Sequence, residues 1–235
     1  MQLDYHPRTK LEKFGQRICG LLVDNFPQTF YVGGMVRDVL LGKNISDIDI
    51  ATEALPGQVA KILSANKIHA DSINARYGVV MAKAGKLQAA ITTFRKDLPS
   101  RGRYPKIAFA AGPKQDSSRR DFTINALYLS PKTGQILDFH QGLEDITSRH
   151  IRFIGKPASR IKEDPLRIVR AIRFAITLNL KIEHQTDLAL EKYFDLVKTV
   201  TRSKLYSELK KIRHPAQRKI AETILQHKKT LDSLE

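Results

Sequence analysis

The sequence predicts an α+β fold in two parts, a mixed first part over residues 1–150 and an all-helical second part over 151–235. Up to about Ile151, helical apolar spacing alternates with short β-type runs, which predicts a small mixed sheet with flanking helices. Beyond that residue only the helical spacing recurs. A mixed half followed by a helical half is typical of two folding units.

The elements of the first part follow from the period of the apolar residues. Leu11, Phe14, Ile18 and Leu22 recur at helical spacing, whereas Thr29–Val32 is a short apolar run that ends at two glycines. In chain order, the predicted elements are a helix over 8–25, a strand over 29–32, a helix over 36–41, a strand over 45–51, a helix over 56–66, strands over 77–82 and 87–94, a strand over 107–110 inside a loop at 96–114, a helix over 120–127 and a strand over 136–138.

The second part shows helical spacing throughout. Ile168 and Ile172 supply the packing face of one segment, and Leu205 and Leu209 that of another. The predicted helices cover 164–178, 186–196 and 202–213, with a last one from 215.

The chain carries a large positive charge, with 40 Lys and Arg against 24 Asp and Glu and a formal net charge of +16. Such an excess predicts a polyanionic partner, RNA rather than a membrane surface, because no long basic amphipathic face with aromatic anchors is present. Over 198–229, ten basic residues stand against two acidic ones, Glu208 and Glu222. This stretch is expected to contact phosphates, with a solvated helix face as the alternative.

The composition excludes several classes of protein. No run approaches the roughly 18 apolar residues that span a membrane, and the N-terminus lacks the pattern of a secretory signal. The one cysteine, Cys19, lies in an apolar run and is expected to be a buried structural thiol. The histidines show no spacing typical of metal ligands. A cytoplasmic location is the simplest expectation.

Glycines, an arginine and two carboxylates form the most informative stretch, Gly33-Gly34-Met35-Val36-Arg37-Asp38 followed by Asp47-Ile48-Asp49. Alternate residues of a strand point to one face, so Asp47 and Asp49 would project side by side. Two like charges this close need a cation, and Mg²⁺ is the usual one in phosphoryl-transfer sites. Glycines before a helix let the backbone approach a phosphate. Together the two segments predict a nucleotidyltransferase site, whereas singly each is more typical of a turn or a solvated strand end.

Further motifs follow these segments in a fixed order. They are Thr92-Thr93-Phe94-Arg95, Arg119-Arg120-Asp121-Phe122-Thr123-Ile124-Asn125-Ala126, Asp138-x-x-x-Gly142-x-x-Asp145, and Glu163-Asp164-x-x-Arg167-x-x-Arg170-Ala171-x-Arg173-Phe174-Ala175. From about residue 29 to about residue 213, the chain resembles the class II tRNA nucleotidyltransferase and bacterial poly(A) polymerase family. The resemblance implies a polymerase-β-like nucleotidyltransferase head, here 1–150, and a helical neck, here 151–235, that binds the nucleotide base and RNA.

The resemblance assigns roles to residues of the first part. It implies that Asp47 and Asp49 are the catalytic pair that holds Mg²⁺, that Gly34 and Arg37 contact the triphosphate, and that Arg119 contacts the incoming nucleotide. In-line attack of the RNA 3′-hydroxyl on the α-phosphate would release pyrophosphate.

The residues after Arg119 leave two interpretations open. Arg120, Asp121 and Asn125 are expected either to contact the ligand directly or to form a capping and core-fixing network.

The Glu163–Arg173 segment is predicted to be one helix, with Glu163, Arg167 and Arg170 on one face. The resemblance implies that Asp164 and Arg167 present an acceptor and donors to the Watson–Crick edge of cytosine or adenine. Glu163 would hold Arg167 in place, and Arg170 and Arg173 would add contacts to the triphosphate or base.

A structural role competes with base recognition at Asp164. Pro165 suits the first position of a helix, which makes Asp164 a candidate N-cap.

Three departures from the family pattern stand out. A third acidic residue expected before Thr92 is absent, since Gln88, Ala89 and Ala90 stand there. Arg101 occupies a position in the loop that is usually acidic. The family's further helical body and tail domains are not present in the sequence, so the chain is expected to be either a shortened or a naturally minimal enzyme.

The predicted function is addition of CMP, AMP or both to tRNA 3′ ends from CTP and ATP. Poly(A) polymerase is the alternative within the same chemistry, and Tyr128-Leu129-Ser130 and Glu163-Asp164-Pro165 are compatible with it, while the short loop after Arg95 favours tRNA. A catalytically silent RNA-binding module is the alternative of another class. The oligomeric state is left open.

Overall fold

A computed structural model describes residues 1–98, 106–109 and 112–227 of the 235-residue chain. The chain divides into two compact units, one made of 1–120 and 125–142 and the other of 121–124 and the residues from 143 onward. Of the helices in the described ranges, none combines the length and apolarity needed to cross a bilayer. The assignment of catalysis to 1–150 and of base and RNA binding to 151–235 stays a prediction.

The first unit contains a seven-stranded sheet, four helices and a separate two-stranded pair. Its strands are β1 (Thr29–Val32), β2 (Ile48–Thr52), β3 (His69–Asp71), β4 (Val79–Ala84), β5 (Leu87–Thr93), β6 (Arg95–Leu98), β7 (Lys106–Phe109), β8 (Leu127–Leu129) and β9 (Ile136–Asp138). Its helices are α1 (Lys10–Val23), α2 (Gly34–Leu40), α3 (Pro56–Ala65) and α4 (Pro113–Ser118), with a 3₁₀ turn at Ala75–Tyr77.

The strand order of the sheet is β3-β4-β5-β2-β1-β8-β9, and β6 pairs only with β7. In this sheet β2 and β5 run parallel, while each other neighbouring pair is antiparallel. The sheet is therefore mixed and lies among helices, and the predicted α+β fold class is confirmed.

The apolar face of α1 lies in the core of this unit. Ile18, Cys19 and Leu22 are each fully buried, which accounts for the helical spacing seen in the sequence. Cys19 is a free cysteine, as predicted. Thr9 caps the helix by accepting a hydrogen bond from the Glu12 N–H at 3.2 Å.

In the residues that the structure describes, the second unit is helical except for one short parallel strand pair. Its elements are α5 (Gly142–Thr147), β10 (His150–Ile151), α6 (Pro157–Glu163), α7 (Leu166–Leu178), β11 (Lys181–Ile182), α8 (His184–Tyr193), α9 (Arg202–Lys210) and α10 (Pro215–His227), with a 3₁₀ helix at Phe194–Thr199. The helix α7 buries Ile168 and Ile172, as its apolar spacing predicts.

The predicted helix over 120–127 is wrong. The segment forms a 3₁₀ turn at Thr123–Asn125 and then enters β8. Phe122 forms an isolated β-bridge with Phe153, and the Ile154 N–H donates to the Asp121 carbonyl at 3.0 Å. Pairing with residues some 30 positions later thus overrides the local helical spacing.

The single helix predicted across 163–173 is also wrong, because α6 ends at Glu163 and α7 begins at Leu166. Pro165 causes the break, since proline lacks an N–H and disfavours helical geometry in the residue before it. Asp164 is accordingly extended, with φ −149° and ψ 97°. The short elements β3, β6, β8, β10, β11, α4, α5 and α6 were not predicted.

Candidate active site

The two predicted catalytic carboxylates lie at the start of β2. Asp49 belongs to the strand, whereas Asp47 immediately precedes it, is exposed and accepts a hydrogen bond from the Ser46 hydroxyl at 2.8 Å. Ile48 and Ile50 are buried, at 2% and 0% exposure. The alternation that the sequence predicted is therefore confirmed for the apolar residues.

Asp49 is partly buried, and neighbouring charges of both signs act on its carboxyl group. Burial raises the pKa of this carboxyl above its usual range; Arg120 and Arg37 act to lower it, and the negative charge of Asp47 raises it further. The carboxylates of Asp47 and Asp49 thus lie near enough to repel one another. Hard oxygen donors in a repelling pair suit a divalent cation such as Mg²⁺.

The place of a third acidic residue can be located from strand register. In the parallel β2–β5 pair Asp49 lies opposite Ala90, so a methyl group occupies the neighbouring position. Within 1–98, 106–109 and 112–227, no group of three or more His, Cys, Asp or Glu side chains is arranged to hold a metal ion. Arg101, the other departure in this half, lies outside the described residues.

The glycine turn brings backbone against the Asp49 carboxylate. Gly33 has φ +69°, a conformation that L side chains rarely adopt. A Cβ at Gly33 would lie 3.3 Å from Asp49 Oδ2 and 3.5 Å from Arg120 Nη1. At Gly34 a Cβ would lie 3.3 Å from Arg37 Nη2. The two glycines leave open the space beside these charged groups.

Arg37 is buried at 7% exposure and held on two sides. Its Nε and Nη2 donate to Asp38 Oδ1 at 2.9 and 2.7 Å, and its Nη1 donates to Asn125 Oδ1 at 2.6 Å. For Asn125, the structure therefore shows the core-fixing contact that was one of its two interpretations. The proposed contact between Arg37 and triphosphate stays a prediction.

Asp116, a residue that the motifs did not single out, binds both arginines of Arg119-Arg120. Its side chain is fully buried and accepts from Arg119 Nε at 2.9 Å, from Arg120 Nη2 at 3.0 Å and from the Tyr128 hydroxyl at 2.6 Å. It also accepts from the Arg95 N–H at 3.1 Å. The signal in the sequence is an aspartate three and four residues before two arginines, the spacing of neighbours on a helix.

Asp116 stays ionised because of these partners. Burial would raise the pKa of its carboxyl, but Arg120 and Arg119, with the Tyr128 hydroxyl, hold that pKa below its usual range. Through Arg120, which lies beside Asp49, the buried carboxylate fixes one wall of the candidate site.

In the second unit, Arg167 is fixed by the end of α6. Its Nη1 donates to Glu163 Oε2 at 2.9 Å and to the Arg160 carbonyl at 2.8 Å. The predicted role of Glu163 in holding Arg167 is confirmed. Nη1 donates both hydrogen bonds that Arg167 makes to described residues, so its Nε and Nη2 donate none to those residues.

One carboxylate oxygen of Asp164 makes a hydrogen bond at the start of α7. Its Oδ1 accepts from the Leu166 N–H at 3.1 Å, and its carbonyl accepts from the Arg167 N–H at 3.0 Å. The N-cap position itself is occupied by Pro165, so the expectation that Asp164 is the N-cap is wrong by one residue, although its Oδ1 does satisfy the N–H of the first helical residue. In the described part of the chain, Oδ2 of Asp164 accepts no hydrogen bond.

Arg170 and Arg173 are each held by a carboxylate. Arg170 donates from Nε to Asp121 Oδ2 at 2.7 Å, and Arg173 donates from Nε to Glu208 Oε2 at 2.8 Å. Glu208 also lies 3.6 Å from Arg170 Nη1. Burial would raise the pKa of Glu208, but Lys211 and these two arginines lower it. The observed contact of Asp121, with Arg170, is of the core-fixing kind, which was one of the two interpretations of this residue.

The structure thus gathers the predicted residues in two sets, each within one unit. The first unit contains Asp47, Asp49, Gly34, Arg37 and Arg119, and the second contains Asp164, Arg167, Arg170 and Arg173.

The poly A polymerase head domain family matches residues 29–152. This range includes β1 to β10, the glycine and carboxylate segments at 33–38 and 47–49, and the arginine motif at 119–126. The chain belongs to this family. Among curated relatives of this head-domain protein, the CCA-adding enzyme of Enterococcus faecalis is 37% identical over 187 residues, which cover 79% of this chain and 45% of that enzyme.

Solved structures agree with the family assignment. The crystal structure of the Bacillus stearothermophilus CCA-adding enzyme in complex with CTP superposes with a TM-score of 0.76 at 30% identity, covering 86% of this chain and 48% of that one. A tRNA nucleotidyltransferase complexed with a primer tRNA and an incoming ATP analog gives 0.72 at 30% identity, covering 91% and 60%. The chain spans about half the length of the curated relatives it matches.

Proposed function

We propose that this head-domain protein is an RNA nucleotidyltransferase that adds CMP, AMP or both to tRNA 3′ ends from CTP and ATP, releasing pyrophosphate. The observation that carries the proposal is the placement of Asp49, which lies beside Gly33 and Arg120 and is electrostatically coupled to Asp47. The carboxylate proposed to hold the metal, the glycine backbone proposed to approach a phosphate and the guanidinium of Arg120 are therefore neighbours. The likeness to enzymes named for CCA addition supports tRNA as the substrate.

Asp47 and Asp49 are proposed to hold Mg²⁺. Bound there, Mg²⁺ would supply the positive charge that favours ionisation of the RNA 3′-hydroxyl and neutralises the triphosphate. The chain itself contributes the repelling carboxylate pair, which stays deprotonated most readily when a cation is present. The cytoplasmic location also stays a prediction, because no observation of the structure tests it.

The arginines are proposed to position the nucleotide. Arg37 and Arg119 are each fixed by a carboxylate, Asp38 and Asp116 respectively. A guanidinium carries its positive charge on a planar fork of donors, and a guanidinium that is already fixed presents this charge to a phosphate in one orientation. With Gly34 beside Arg37, these groups would orient the triphosphate for in-line attack.

Asp164 and Arg167 are proposed to recognise the base, and Arg170 and Arg173 are proposed to add contacts to the triphosphate or base. Asp164 Oδ2 would accept from the exocyclic amine of cytosine or adenine, while Arg167 would donate to the adjacent ring nitrogen. Uracil and guanine carry a carbonyl oxygen where that amine would be, and would face the carboxylate with an unpaired acceptor. Capping and base recognition are compatible, since they use different oxygens of Asp164.

Nucleotide incorporation tests the proposed reaction. With tRNA that ends at the discriminator base, Mg²⁺ and each labelled NTP, we expect addition of C, A or both, abolished by Asp49→Asn and by Asp47→Asn. Asp24→Asn, at an exposed aspartate of the same unit, is the matched control and should keep wild-type activity. Long A tails without C would assign a poly(A) polymerase instead. Absence of any extension with RNA binding retained would assign a silent RNA-binding module.

Base choice tests the proposed roles of Asp164 and Arg167. Asp164→Asn keeps an oxygen for the cap but replaces Oδ2 with an N–H₂ donor, so stability should change little while UTP or GTP gains over CTP and ATP. Arg167→Ala should lower selectivity with some incorporation surviving. Wild-type selectivity in both variants would reject side-chain recognition of the base.

A further inference from the structure

Tyr206 is an exposed aromatic residue on a basic helix face. It is 67% exposed, more than any other aromatic side chain in the described ranges. Its neighbours on the buried side of α9 explain this orientation, because Glu208 and Ile212 are 3% and 0% exposed. Among the described residues of the second unit, most of the surface of this phenol ring is therefore left to solvent.

Basic residues flank Tyr206 along the helix. Arg202, Tyr206 and Lys210 are four positions apart and share one face, at intervals of about 6 Å along the axis. Arg213 follows just after the end of α9. Arg202, Lys210 and Arg213 are all exposed. We call Arg202, Tyr206, Lys210 and Arg213 the Tyr206 stripe.

The stripe carries unopposed positive charge. Within the described residues, neither Arg202, Lys210 nor Arg213 forms an ion pair. The acidic residue of α9, Glu208, is buried and is neutralised by Arg173 and Lys211. No negative charge of this helix therefore reaches the face that Tyr206 occupies.

We propose that the Tyr206 stripe binds single-stranded RNA, with one unpaired base stacked on Tyr206 and neighbouring phosphates on the cations. Aromatic rings set in a positively charged surface are the usual means of holding single strands. A base inside a duplex cannot reach such a ring, because its faces are already stacked. The proposal concerns binding alone and does not need the transfer reaction.

A tryptophan reporter tests the stacking directly. The chain contains no tryptophan, so Tyr206→Trp places a single indole in the stripe. Titration with a single-stranded oligo(A) RNA, without NTP or Mg²⁺, should quench its emission, and a blunt RNA duplex should quench it less. Leu188→Trp, at a 47% exposed position of α8, is the matched control and should respond to neither.

Affinity measurements supply the second readout. Tyr206→Ala should weaken oligo(A) binding by about 5- to 150-fold, the range for removing one stacked base, while Tyr206→Phe keeps it. Lys210→Glu with Arg213→Glu should flatten the log–log salt dependence by about 0.7 for each phosphate that the protein no longer neutralises. Because these side chains are exposed, thermal midpoints should stay at the wild-type value.

Two results would overturn the proposal. One is unchanged emission from Tyr206→Trp at RNA concentrations that saturate the wild-type protein. The other is wild-type affinity in Tyr206→Ala. Neither result bears on nucleotide incorporation, which is measured separately on the wild-type chain.

Discussion

Replacing Asp116 by Asn should destabilise the first unit strongly. The carboxylate is fully buried and holds Arg119 and Arg120, which are themselves only 16% and 15% exposed. Removing one partner of a buried ion pair leaves uncompensated charge and typically costs about 3–5 kcal/mol. Against a total stability of about 5–15 kcal/mol, this loss is large. Urea unfolding followed by circular dichroism at pH 7 measures it.

Asp97→Asn provides the matched control for that loss. Asp97 is 43% exposed and lies 3.8 Å from Arg95 Nε, beyond hydrogen-bond distance, so the same chemical change occurs beside the same arginine cluster at a carboxylate that water reaches. Removing a solvated carboxylate from such a pair costs about 0–1 kcal/mol. The two variants should therefore differ by several-fold in their effect on the urea midpoint.

The effect of Asp116→Asn should also depend on pH, with a definite sign. The folded-state pKa of Asp116 is lowered, so its charge stabilises the fold above the unfolded pKa of about 3.9 and stops doing so as pH falls through the folded value. Wild-type and variant stabilities should converge at acid pH. An Asn variant as stable as wild type at pH 7, or a difference that does not shrink in acid, would refute the role assigned to this carboxylate.

Three further outcomes are expected. Gly33→Ala should lower stability by about 1–2 kcal/mol and abolish incorporation, whereas Gly85→Ala, with φ +59° and no atom within 4 Å of the added Cβ, should show the stability loss alone. Cys19 should react with a thiol reagent only on unfolding, because burial raises its pKa well above the usual range. Burial would raise the pKa of Glu183, but the N–H groups of Gln185 and Thr186 lower it, so Glu183→Gln should cost about 1 kcal/mol at pH 7 by thermal denaturation and almost nothing below the folded pKa.

The spacing of apolar residues predicted those elements whose conformation depends on residues close in the chain. The strand at 29–32 and the helix α1 follow from short apolar runs and helical spacing, and both lie where the sequence places them to within about two residues. The proximity of Asp47 and Asp49 was likewise visible as a spacing. These features depend on neighbours within a turn or a strand.

What the sequence could not show depends on distant partners. The helix predicted after Arg119 does not form because Phe122 makes a β-bridge with Phe153, and no residue pattern within the segment indicates that pairing. Asp116 was missed for a related reason, since its importance comes from Tyr128 and Arg95, which approach it only in the fold. The hydrogen bond from the Leu166 N–H to one oxygen of Asp164, which the other oxygen does not share, is likewise a property of geometry.

In both units, arginine side chains are positioned by a buried carboxylate. A buried carboxylate, Asp116 in one unit and Glu208 in the other, lies against two guanidiniums. A free arginine would lose rotamer entropy on binding a phosphate, whereas one already fixed loses less. Each cluster keeps an excess of positive charge, since two guanidiniums face Asp116, and Arg170, Arg173 and Lys211 together face Glu208 and Asp121. An anionic ligand therefore meets preorganised donors with net attraction, which is the arrangement a triphosphate needs.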